Sequence, residues 1–156
     1  MMQLAVLAAL LAAEDTYTVT LTFEKMHCDE CKAELDTTLK KMQGVKTVAI
    51  TENAAAATFE EKAAVPAFNR LPKDLKLLSA TVSLRGTVSF AGDKATLAAK
   101  GSGQTLGLVN PEQPKADKLA ELKKHLGGKN RFQVTGQIVS GKAIVLESFQ
   151  AADWKD

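Results

Sequence analysis

The chain is short of the residues that most enzyme chemistry draws on. Its 156 residues include two histidines, two cysteines, one tryptophan and one tyrosine. His27 and His125 do not furnish a Ser-His-Asp arrangement, and neither a phosphate-binding P-loop nor a glycine-rich dinucleotide fingerprint occurs. No enzyme is expected. Aromatic residues make up 5% and the net charge is +2, which leaves little to stack nucleobases on and no strong pull toward nucleic acid or an anionic membrane. The chain also lacks an apolar run of bilayer length, because the longest, from Leu4 to Ala13, is too short to span. What remains is an ordinary globular composition, 46% hydrophobic, enough for one domain or two small ones.

The run from Leu4 to Ala13, with small residues before Glu14, matches the apolar core of a secretory signal cleaved near Ala13. Its positive flank is missing, since no Lys or Arg precedes Lys25. Residues 1–13 are expected to be a signal peptide and the protein to be periplasmic or secreted. The alternative is a buried or frayed N-terminal helix. In an exported protein, free thiols need protection by a metal or a reducing partner.

The two cysteines stand close together in Met26-His27-Cys28-Asp29-Glu30-Cys31. Before them, Tyr17, Val19, Leu21 and Phe23 alternate with four threonines, the two-residue period of a half-buried strand. After them, Cys31, Leu35, Leu39 and Met42 recur at helical spacing. The thiols therefore fall where a strand ends and a helix starts, with Cys28 in the loop and Cys31 in the first turn. Free amides at a helix N-terminus favour thiolate. Two soft thiolates suit a soft ion that accepts few ligands, Cu(I) first. Zinc wants four ligands, and with His27 alone nearby the chain argues against a closed structural zinc site. A pair of this kind also serves as a redox couple or a simple disulfide. Against a thioredoxin-like motif, no aromatic precedes Cys28, no Gly-Pro separates the cysteines, and short strands follow.

Met26-x-Cys28-x-x-Cys31, after a Thr/Val strand and before an amphipathic helix, resembles the heavy-metal-associated domain of copper chaperones, copper-transporting ATPases and periplasmic mercury-binding proteins. The resemblance covers residues 16–84. It implies a ferredoxin-like βαββαβ domain, Cys28 and Cys31 as metal ligands, and Met26 packed beneath the loop. The chain departs from the family at Lys25, where Gly is usual, and at His27, Asp29 and Glu30, where small or polar residues are usual. The two acids can cap the helix but oppose thiolate, and Lys25 and Lys32 offset them. Gly44 is expected to end the helix. Strands follow at Val45–Ile50 and Ala54–Phe59, the latter weakened by its alanines. Val65, Phe68, Leu71 and Leu75 predict a second helix, with Pro66 near its first turn and Pro72 interrupting it. Glu60-Glu61 reads as a solvated turn.

The second half reads as three strands, a helix and two strands. Residues 80–90 alternate through Gly86, a bulge or bend position. Hairpin turns fall at residues 91–93 and 101–103, between strands at 94–100 and 104–110. Pro111 and Pro114 break the sheet. Leu119, Leu122 and Leu126 mark a helix ended by Gly127-Gly128, with His125 as a solvated or capping residue. Residues 131–139 and 143–149 form a final hairpin around Ser140-Gly141, with Gly136 as a second bend. This order resembles an oligonucleotide/oligosaccharide-binding (OB) barrel. Its second and third strands carry no aromatic, so nucleic-acid binding is not expected. Trp154 reads as a packed or frayed end.

The expectation is therefore an α+β protein: residues 1–13 a signal peptide, 16–80 a heavy-metal-associated-like domain of βαββαβ form, and 81–150 a small OB-like five-stranded β-barrel with one helix. It is expected to bind Cu(I), or Hg(II), Zn(II) or Cd(II), through Cys28 and Cys31, as a monomer or a metal-bridged dimer. It would buffer the ion or pass it to a metal-transporting or metal-accepting protein with a thiolate site. No stable membrane insertion is expected after cleavage. The alternatives are an exported thiol-disulfide protein using the same pair, and an adaptor whose barrel binds a partner.

Overall fold

The structure, a computed structural model, describes residues 16–24, 26, 28–68, 71–72, 75–92, 94–111, 117–126, 130–139 and 142–152. Residues 1–13, Lys25, His27, Asp93, Pro114, the Gly127-Gly128 and Ser140-Gly141 pairs and Trp154 lie outside them.

Strand β1 (Thr16–Phe23) buries Tyr17, Val19, Leu21 and Phe23 and turns its threonines outward. Helix α1 (Asp29–Lys40) buries Leu35 and Leu39. Fully burying two leucines contributes about 3–6 kcal/mol by transfer from water. The helix ends at Lys41, three residues before the expected cap. Gly44 instead makes the turn into β2 (Val45–Ile50) with φ +87°, where an added Cβ would collide with the side chain of Ala63. Strand β3 (Ala54–Glu60) forms despite its alanines, because Ala55 and Ala57 sit opposite Leu21 and Val19 on the buried face. Small residues there leave room for the large side chains beside them.

The expected ferredoxin-like βαββαβ domain is corrected at the next step. Between β3 and β4 (Leu77–Ala91) no helix occurs among the described residues. Val65, Phe68 and Leu75 are buried, as their spacing predicts, but from an irregular strap. Prolines at 66 and 72 restrict the residues before them and withhold amides, which leaves too short a stretch for a stable helix. Phe68 takes a left-handed backbone, φ 55°, to turn its ring edge-on to Phe59. The strap is fastened by side chains. Gln104 Oε1 accepts from the Val65 amide at 2.8 Å, and Tyr17 Oη donates to the Ala63 carbonyl at 3.0 Å. Burial pushes the Tyr17 pKa well above its usual value.

Strand β4 runs without a break through residues 80–81. Its first half pairs with β1 and its last with β5 (Lys94–Ala99) on the same edge, while residues 81–87 pair with β7 (Arg131–Val139) on the other. With β6 (Thr105–Val109) and β8 (Ala143–Ala151), one eight-stranded sheet results, in the order β2-β3-β1-β4-β5-β6-β8-β7, closed by β4 on β7. The five strands β4-β5-β6-β8-β7 make a closed barrel, which fits the OB-like expectation. In it β6 and β8 are parallel. Helix α2 (Lys118–Lys124), between β6 and β7 in the chain, buries Leu122 and packs on β8.

The two predicted bend glycines are required by close approach. At Gly86 a Cβ would stand 2.6 Å from the Ala98 carbonyl oxygen, and at Gly136 it would collide with that of Val145. Gly136 also lies at the register shift between β7 and β8. The fold is thus mostly β, with one core running from Tyr17 through Val82 to Leu146.

Candidate functional site

Strand β1 delivers the chain to the cysteines. Its last residues are pinned by Phe23 N–H on the Asn53 carbonyl at 2.8 Å and Glu24 N–H on the Lys76 carbonyl at 3.0 Å. Met26 is 1% exposed and belongs to the core. Cys28 is the N-cap of α1, with extended backbone (φ −87°, ψ 142°), and its Sγ accepts the Cys31 amide at 3.0 Å. That is the bond a Ser or Asp cap side chain makes, made in this helix by sulfur. Asp29 and Glu30, which could cap the helix on sequence grounds, fall inside the first turn instead.

Cys28 and Cys31 are joined as a disulfide, with Cα atoms 5.2 Å apart. Their surroundings differ. Cys28 is exposed, whereas Cys31 is half-buried against the core. The free amides at this end of α1 favour negative charge beside the sulfurs, and Asp29 and Glu30, both exposed, oppose it.

Two sulfur donors held one helical turn apart can exchange with a thiol or hold an ion that is content with few ligands. Among the described residues no three or more His, Cys, Asp or Glu side chains converge on a further metal position. His125 is elsewhere. It caps α2, with Nδ1 2.8 Å from the Glu121 carbonyl and its ring edge-on to Phe149 in β8.

A second polar cluster is not visible as such in the sequence. Glu61 reads as a solvated turn but is 8% exposed. Its carboxylate accepts from Arg85 Nε at 3.0 Å and Lys100 Nζ at 2.7 Å. Arg85 Nη2 stands 2.9 Å from Glu61 Oε2, close enough to pair but off the line of a hydrogen bond. The cluster ties the start of the strap to β4 and to the turn after β5. It underlies a groove of about 380 Å³ lined by Lys46, Glu60, Lys62 and Lys100. A buried carboxylate without partners is so costly that alternating Val/Thr strands could not announce it. The cue is a cation beside a glycine twice over, Arg85 in β4 next to Gly86 and Lys100 in the turn after β5 next to Gly101.

Comparison with known protein families, with curated proteins and with solved structures finds no match to this chain. Among the described residues no helix is long and apolar enough to cross a membrane.

Proposed function

We propose that the chain binds a soft metal ion, Cu(I) before Hg(II), Zn(II) or Cd(II), through reduced Cys28 and Cys31, to buffer it or pass it to a partner with a thiolate site. One observation carries this reading: two sulfurs meet at the exposed N-terminal end of a 12-residue helix, with Cys28 Sγ already receiving a backbone amide. A site with two protein ligands leaves room for a third from a partner. Such transfer needs no enzyme chemistry. Work in a periplasm or outside the cell belongs to the same proposal, with the disulfide as the oxidised form of the site.

The disulfide itself favours a second reading, a thiol-disulfide protein that cycles this pair. The two are separated by anaerobic Cu(I) competition against a chromophoric chelator, using reduced protein. Wild type is compared with Cys28→Ser plus Cys31→Ser. One tightly held ion per chain, lost in the double variant, is the expected result. Equal weak binding by both proteins would remove the metal reading and leave the redox one. That reading in turn requires a measurable dithiol potential and exchange with a thiol substrate.

A further inference from the structure

The two cysteines are not equivalent, and the charge around them is not that of the molecule. Residues 24–34 carry Glu24, Asp29, Glu30 and Glu34 against Lys25 and Lys32, a net of −2 in a chain of net +2, so the remaining residues carry +4. Glu24 is paired with Lys76 at 3.3 Å. Asp29, Glu30 and Glu34 are exposed and have no ion-pair partner among the described residues. They lie on the first turn and a half of α1, directly after exposed Cys28.

We propose that Cys28 is the sulfur through which this pair exchanges with its partner, and that the partner presents its own thiol or disulfide from a positively charged surface. This rests on the reading that the pair exchanges with a partner. Access selects Cys28, since Cys31 is half-buried against the core. The Cys31 amide fixes the position of Cys28 Sγ at the open end of the helix. The unpaired carboxylates attract a cationic approach and repel an anionic one, while the +4 elsewhere turns a basic partner toward this end.

A small disulfide tests this on the reduced protein. The Cys28 thiolate attacks one probe sulfur, and the other leaves as thiolate. Cys31, giving up its proton to solvent or to that thiolate, then attacks Cys28 Sγ. The 28–31 disulfide closes and the second probe thiol is released. The probe is reduced and the protein oxidised by two electrons.

Three probes are compared: cystamine (a dication), 2-hydroxyethyl disulfide (neutral) and 3,3′-dithiodipropionate (a dianion). Each rate is normalised to that of a free cysteine peptide. Cys31→Ser, which leaves Cys28, is expected to react with cystamine about tenfold faster than Cys28→Ser near neutral pH, from access. The normalised preference for cystamine over the dianion is expected to exceed about tenfold at low salt. It is expected to collapse in 1 M salt and in Asp29→Asn/Glu30→Gln/Glu34→Gln. Substoichiometric alkylation of reduced wild type, mapped by mass spectrometry, assigns the more reactive sulfur without any variant and is expected to mark Cys28. Equal labelling of both sulfurs, or a probe preference no different from that of the free peptide, overturns the proposal. Copper retained by a protein without these preferences would sink this inference and spare the proposed function. Preferences retained without copper binding would do the reverse.

Discussion

Replacing Glu61 by Gln keeps the size of the side chain and removes its charge. Glu61 is 8% exposed, and the side chains of Arg85 and Lys100 are 21% and 23% exposed. Breaking a buried pair by removing one partner costs about 3–5 kcal/mol, because the other charge is left uncompensated. In this cluster both cations keep some contact with water, which brings the cost to or below the lower end of that range, and Glu61→Gln is expected to cost about 2–3 kcal/mol. Arg85→Met should cost a similar amount by stranding the carboxylate with Lys100 alone. Because the two changes remove one interaction, the combination Glu61→Leu plus Arg85→Met should cost at least about 1 kcal/mol less than the sum of Glu61→Leu and Arg85→Met. Urea denaturation followed by circular dichroism reads each value, with an unchanged slope showing that the same transition is compared. A loss below about 0.5 kcal/mol for Glu61→Gln would place the cluster with ordinary surface ion pairs. Strict additivity would show that Glu61 and Arg85 do not act as a pair. Either result refutes the claim that this cluster fastens the strap to the barrel.

Two further outcomes follow from geometry. Gly136→Ala drives a Cβ into the Val145 carbonyl, which backbone cannot vacate, and is expected to cost about 3 kcal/mol. Gly92→Ala meets nothing within 4 Å and carries only the strain of φ +67°, about 1 kcal/mol; the same denaturation series checks the ranking. Tyr17 supplies a pH dependence. Its folded pKa is raised by burial, so above about pH 10 the unfolded chain loses a proton that the folded one keeps, and stability falls as pH rises. Tyr17→Phe is expected to make that alkaline decline shallower and to cost about 1 kcal/mol at neutral pH, measured as unfolding midpoints across a pH series.

Local periodicity is a good guide wherever a segment's own side chains decide its conformation. The alternation of Tyr17 to Phe23, the helical spacing of Leu35 and Leu39, and the barrel strands flanking Gly86 and Gly136 all correspond to the elements their patterns predict. The place of Cys28 before the helix and Cys31 in its first turn is legible for the same reason. Among the described residues of 65–75 the expected helix does not occur, because burial at helical spacing does not require a helix. The prolines deny it, and a distant Gln104 satisfies the strap's backbone instead. The burial of Glu61 is illegible because its partners come from residues 85 and 100, and no local pattern reports a carboxylate satisfied across the fold.

Strand β4 has a consequence for how the protein is made. Thr81 pairs with Thr20 on one side and with Gln137 on the other. During synthesis the first partner is already outside the ribosome when β4 emerges, and the second is still dozens of residues away. One edge of a long, apolar strand must therefore wait open until β7 arrives. An edge left waiting is the form of chain most prone to pair with a stranger. Slow translation beyond residue 91, or truncation before β7, is where this protein is most exposed to misassembly.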